Sequence, residues 1–390
     1  MRVYLDNAAT TPIRPEVLEC YIDTLKLIGN PSSVHSSGQQ VRQVLEEARE
    51  SLAKSLDCDR SEVLFTSGGT ESDNLAIKGI YWQRKAEEAN RNIVISAGTE
   101  HHGVIDPIEW LETHEGAEVV LVPVNFDGEL DLAWLENYLA EHHSKVALIS
   151  LMWANNETGV VTDIKAITTM ANSFNIPVHT DAVAAFGHLP TSFKDSGLAA
   201  MSISAHKLGG PVGIGALIVS RSTKLVSIIH GGGQERGMRS GTMNAPAAKA
   251  FALAGKVAIE TLNDERARLA DIKQKLVEQA RTINPSLTQT ALKARTLPNI
   301  VHFTLAGGSG DSLLFLLDQE GISVSTGSAC QAGVNRPSHV LIAMGRTEDQ
   351  AKGCLRITLG HESTEADIDA LLVALPKAIE STLRAGLSSQ

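Results

Sequence analysis

Cysteine is scarce: the chain has four in 390 residues, Cys20, Cys58, Cys330 and Cys354, and no Cys-x-x-Cys pair. That scatter excludes a disulfide framework and a zinc knuckle. No apolar run reaches membrane-spanning length, and Met1-Arg2-Val3-Tyr4-Leu5-Asp6 enters a strand-like segment without a basic-then-apolar leader. These absences predict a soluble cytoplasmic protein with no membrane partner, in a compartment that keeps a working thiol reduced. Lysine-arginine runs are also missing, and the formal net charge is −11. An acidic balance of this kind argues against nucleic acid as a direct partner. Internal repeats and low-complexity linkers are absent. What remains is 43% hydrophobic and 20% charged, a composition that folds, on a chain long enough for two domains enclosing a ligand.

Short apolar runs alternate with helical periodicity from about residue 40. Val41 to Leu56 and Thr70 to Trp82 read as helices, and Glu62 to Thr66 and Asn92 to Ser96 as strands. Further apolar runs at 118–123, 145–153, 177–181, 199–204 and 215–220 have the continuous character of strands buried on both faces. The pattern predicts an α/β fold with a mostly parallel, helix-covered central sheet. One long helix is expected over Ala247 to Arg281. Strands at 299–305, 322–324 and 355–359 with helices at 310–319 and from Glu365 then predict a smaller α+β domain after about residue 255.

Four local patterns suggest chemistry. Ser67-Gly68-Gly69-Thr70-Glu71-Ser72 joins a strand to a helix, where free N–H groups and the helix dipole favour an anion; the same turn is also an ordinary helix start. It lacks the endings of a P-loop and of a dinucleotide fingerprint. Asp181 ends an apolar strand, where open α/β sheets place ligands, and suits either a protonated ring nitrogen or a helix cap. Lys207, after Ser204-Ala205-His206 and before Gly209-Gly210-Pro211, is either solvated or an imine-forming amine with depressed pKa. Cys330 lies in Ser325-Thr326-Gly327-Ser328-Ala329-Cys330-Gln331-Ala332-Gly333, whose small residues suit a presented thiol, though such a turn also holds an idle one.

A phosphate cradle, an acid for a ring nitrogen and an imine lysine are the contacts that pyridoxal phosphate requires. Together with Tyr4-Leu5-Asp6-Asn7-Ala8-Ala9-Thr10-Thr11-Pro12, Gly29-Asn30-Pro31-Ser32-Ser33 with His35, Glu100-His101-His102, Asn155-Asn156-Glu157-Thr158-Gly159 and Gly231-Gly232-Gly233-Gln234-Glu235-Arg236-Gly237 with Arg239-Ser240-Gly241-Thr242, they occur in order from Tyr4 to about Leu372. In these motifs the chain resembles the cysteine desulfurases of the NifS/IscS type, class V enzymes of pyridoxal-phosphate fold type I. The resemblance implies a large cofactor domain over 14–255 and a small domain from 1–13 plus 256–390 that carries the Cys330 loop. It implies conversion of L-cysteine to L-alanine, with the sulfur taken by Cys330 as a persulfide.

By position, the resemblance makes Lys207 the imine lysine and Asp181 the partner of the pyridine nitrogen. His101 stacks on the ring and moves protons, and Gly69, Thr70, Ser204 and His206 hold the phosphate. Thr242 reaches the phosphate of the other subunit of a homodimer. Asn156 touches cofactor or substrate, and Arg356 clamps the substrate carboxylate, a surface salt bridge being its structural alternative. A satisfied core histidine is the alternative for His101 and the reading kept for His102. His114, His142 and His143 read as solvated residues, and no metal site is expected beyond Cys330 as a transient iron–sulfur ligand. The implied partners are sulfur acceptors such as an iron–sulfur scaffold or a tRNA-thiolation protein. One position departs from the family: its usual glutamine, a donor to the ring hydroxyl, is Ala184 here. Competing readings are a selenocysteine lyase or aminotransferase of the same superfamily, and a non-catalytic sulfur carrier on a relic fold.

Overall fold

The computed structural model describes residues 2–327 and 337–387. Its central sheet has seven strands, in the order Val63–Thr66, Gly215–Val219, Ala200–Ser204, Val178–Asp181, Val146–Ser150, Ile93–Ser96 and Glu118–Leu121. Gly215–Val219 runs antiparallel to both its neighbours, and every other pairing is parallel. The period-two alternation of strand side chains sorts them onto two faces. Phe65, Ile95, Ile203 and Ile218 pack in one core with Leu45 and Leu52 of helix Ser36–Ser55 and Phe251 of helix Ala245–Glu260. Leu64, Val94, Leu148 and Leu217 pack in another with Leu75 and Ile77 of helix Gly69–Glu87 and Val104 and Ile108 of helix His102–Glu115. Burial on both faces is why these strands read as unbroken apolar runs.

The expected single helix over 247–281 is two helices, Ala245–Glu260 and Leu262–Ile283. Thr261 leaves helical geometry at φ −96° and ψ 1°, and its hydroxyl donates back to the Val257 carbonyl at 2.9 Å. Such back-bonding bends a helix with no glycine or proline to announce it. Beyond the break the chain enters a second core, built on an antiparallel sheet ordered Cys354–Thr358, Ile300–Leu305, Leu287–Gln289. Phe303, Leu355 and Ile357 of that sheet pack against Leu276 and against Leu371 of helix Glu365–Leu387. The N-terminus belongs to this unit: Val3–Tyr4 pairs in parallel with Ile322–Ser323, and Asp6 bridges to Thr358. Residues 7–11 therefore lie between the two cores, beside Lys207.

Candidate active site

The strand ends and the helix start singled out in the sequence meet at a cavity of about 400 Å³. It is lined by Gly69, Thr70, His101, Asn156, Asp181, Ala184, Ser204, His206, Lys207 and Arg356. A larger groove of about 920 Å³ lies elsewhere, around Cys58, Arg84 and Arg221, and holds none of the predicted residues. Thr242 is exposed and does not line the cavity. Cys330 lies outside the described residues. Of the other cysteines, Cys58 and Cys354 have thiols pushed up to about 12, chiefly by burial, which keeps them unreactive.

Helix Gly69–Glu87 opens without a side-chain cap on Gly68, so its first N–H groups remain available to an anion. The Thr66 and Ser72 hydroxyls lie 2.8 Å apart and each lies 3.1 Å from the Gly68 carbonyl, and together they brace the turn. A Cβ on Gly69 would lie 2.8 Å from Val183 Cγ2, so only glycine lets the chain approach this closely. Glu71, also in the first turn, is spoken for: it accepts from Arg239 Nε at 2.7 Å and from the Ser67 N–H at 2.8 Å. Burial would raise its carboxyl, but these bonds outweigh that effect and hold it low. His206, bonded to Thr10 Oγ1, is kept neutral because burial, and then Lys207, lower its pKa to about 4.

Asp181 is buried at the end of its strand and accepts a 2.8 Å hydrogen bond from the Val183 N–H. Burial raises its pKa, opposed by His101, that hydrogen bond and Lys207. Asp73, a second buried carboxyl, is raised well above the usual range by burial and by the charge of Asp181, against only a Ser202 hydrogen bond. The compensating groups face Asp181, so Asp73 is raised the further of the two. Lys207 follows in the tight turn Ala205–Lys207, where its Nζ donates to the carbonyls of Ala8 and Ala9.

His101 caps helix His102–Glu115, its Nδ1 accepting from the Gly103 N–H at 3.0 Å. In the neutral ring the proton therefore sits on Nε2. His102 is not the core histidine expected: its side chain is 31% exposed and pairs with Asp106. His114 packs on Trp110, His142 on Tyr138 and His143 on Phe174. Among the described residues no group of side chains could hold a metal ion.

At the other end of the cavity Arg356 is 3% exposed, so it is no surface salt bridge. Its Nη1 donates to the Asn156 carbonyl at 3.0 Å and its Nη2 to Asp6 Oδ1 at 2.9 Å. Asn156 is placed by Asn155, whose Oδ1 accepts from the N–H groups of Glu157 and Thr158 and whose Nδ2 donates to Thr99. Sequence reasoning gave Asp6, Asp73 and Glu157 no role. Asp6 and Glu157 stood inside quoted motifs and Asp73 one residue past another, but their partners lie far along the chain.

These residues fit pyridoxal phosphate. A buried carboxylate needs a cationic partner, which a protonated ring nitrogen supplies, and the uncapped helix start with Ser204 and neutral His206 supplies donors for a phosphate. Ala184 offers the ring hydroxyl no donor. Ala184→Gln is therefore expected to shift the absorption band of the bound cofactor and its pH titration; an unchanged spectrum and titration would show that position 184 does not address the ring.

A mostly parallel sheet carrying a lysine and an aspartate at its strand ends, beside an uncapped helix start, is the arrangement of a pyridoxal-phosphate enzyme of fold type I. Residues 3–371 match the family model described as aminotransferase class-V. The chain is 47% identical over 387 residues to an IscS-like cysteine desulfurase of Mycobacterium tuberculosis, covering 99% of this chain and 98% of that one. A solved NifS-like protein superposes with a TM-score of 0.90 at 34% identity, covering 98% and 100% of the two chains. A second structure, SspA in complex with cysteine, superposes with a TM-score of 0.78 at 33% identity, covering 92% and 98%. The chain belongs to the class-V aminotransferase family, in its NifS/IscS-type branch.

Proposed function

We infer that this chain is a pyridoxal-phosphate-dependent cysteine desulfurase that takes sulfur from L-cysteine onto Cys330 as a persulfide and releases L-alanine. The observation that carries this reading is one cavity with Lys207, Asp181 and the uncapped helix start on one side and the buried Arg356 fork on the other. When bound, the cofactor supplies an electron sink for charge developing at the substrate α carbon. Asp181 holds the ring nitrogen protonated, and Gly69, Thr70, Ser204 and His206 hold the phosphate. The Arg356 guanidinium suits a carboxylate, and Asp6 keeps its plane in register. Lys207 moves the α proton, and His101 offers its Nε2 proton to the reacting end of the substrate. The reaction balances as L-cysteine plus the Cys330 thiol giving L-alanine plus the Cys330 persulfide.

Two features support a homodimer. Leu18, Ile22 and Leu25 form a stripe on helix Pro15–Leu25 that is 41%, 49% and 55% exposed, and Thr242 stands on the surface where a second copy's phosphate could meet it. Iron–sulfur scaffolds and tRNA-thiolation proteins are the acceptor class that the NifS/IscS relationship supports. No helix of the described residues is long and apolar enough to cross a membrane.

The test is purified holoprotein with L-cysteine, assaying alanine together with persulfide on Cys330. Cys330→Ala is expected to abolish both products while keeping the cofactor band. Alanine release at the wild-type rate in that variant would overturn the assignment.

A further inference from the structure

Gly327 and Ser338 flank the segment that carries Cys330, and both pack on one carboxylate, that of Glu157. Ser338 Oγ donates to Glu157 Oε2 at 2.6 Å and accepts from the Leu341 N–H at 3.2 Å, where it caps helix His339–Ala343. On the other flank Gly327 lies so close that a Cβ there would be 2.2 Å from Glu157 Oε2 and 3.1 Å from Ser338 Cβ. The Gly327 N–H donates to Cys354 Sγ at 3.3 Å, on the strand that also carries Arg356. Glu157 itself is 2% exposed and follows Asn156 in the loop pinned by Asn155. Its carboxyl is raised to about 7, by burial first, with Ser338, Arg356 and His101 opposing. An acid so placed costs stability that an apolar side chain would not; the geometry points to what it does instead.

We propose that Glu157 is a positioning residue for sulfur transfer: it holds Ser338 by a hydrogen bond and Gly327 by close packing, so that both flanks of the segment that carries Cys330 rest on the loop that supplies Asn156. The proposal rests on the reading that Cys330 accepts the sulfur. In the step itself the Cys330 thiolate bonds to the substrate sulfur and the substrate Cβ–Sγ bond breaks. The electron pair of that bond stays with Cβ, which takes a proton to become the methyl of alanine. Displacing the nucleophile by about 1 Å costs on the order of 100-fold in such a step.

The experiment mixes holoprotein with L-cysteine and follows two signals in one sample: the cofactor band, which reports substrate engagement, and persulfide on Cys330 by mass spectrometry. Glu157→Ala is expected to keep the rate and amplitude of the band change and to slow persulfide formation about 10- to 100-fold. Ser338→Ala, which leaves the carboxylate in place and frees one flank, is expected to show the same split more weakly, and it carries the test should Glu157→Ala fail to fold. Persulfide formation at the wild-type rate in both, or parallel loss of both signals, would overturn the role of Glu157. Cys330→Ala run alongside separates the two readings: if it still releases alanine, the acceptor assignment falls. If it is inactive while Glu157→Ala transfers sulfur normally, only the Glu157 assignment falls.

Discussion

Lys207→Ala is expected to lower alanine formation from L-cysteine by about 10⁴-fold or more, because the proposed mechanism gives one side chain both the covalent attachment and the α proton. No other lysine among the described residues lines the cavity. The Lys207 Nζ is brought to its place from two sides: the turn Ala205–Lys207 projects it from a strand end, and the Ala8 and Ala9 carbonyls receive it from the N-terminal segment. No second lysine among the described residues is thus available to substitute. The check is the rate of alanine release, together with borohydride treatment, which should link the cofactor to the wild-type chain and leave Lys207→Ala unlabelled. Residual turnover within tenfold of wild type would remove Lys207 from the mechanism.

Asp181→Asn is expected to lower turnover by about 10²- to 10³-fold, the usual scale for losing a preorganised electrostatic partner in an enclosed site. The same substitution should act on the cofactor-free protein in the opposite sense. Burial raises the folded-state pKa of Asp181 above its ordinary value. Its contribution to stability is therefore fully present at low pH and is lost as pH rises through the raised value. Cofactor-free Asp181→Asn should melt above wild type at neutral pH, with the gap closing as pH falls into the ordinary carboxylate range. Melting curves of both proteins across pH read this directly, and a cofactor-free variant less stable than wild type at neutral pH would contradict it.

The central sheet was legible because its strands are buried on both faces, and burial of that kind writes itself as an apolar run. The edge strand Leu287–Gln289 was not, since only one of its three residues is buried. The break at Thr261 was hidden for a related reason: helical periodicity continues on both sides while the two helices pack in different cores. In the site, Asp181 and Lys207 were readable as polar residues closing apolar strands, and Gly69 as the opening of a helix.

What the sequence alone determined was the list of chemical groups and their order: a helix start for an anion, an acid and a lysine at strand ends, and a thiol among small residues. Those are properties of neighbours along the chain. The tertiary structure decided which groups act on one another. Asp6 meets Arg356 across 350 positions, Ala8 and Ala9 receive Lys207, Asp73 is buried beside Asp181, and Glu157 gathers Gly327 and Ser338. Burial and hydrogen bonding set each of these, and both depend on which distant segments are packed together, something that no local pattern encodes.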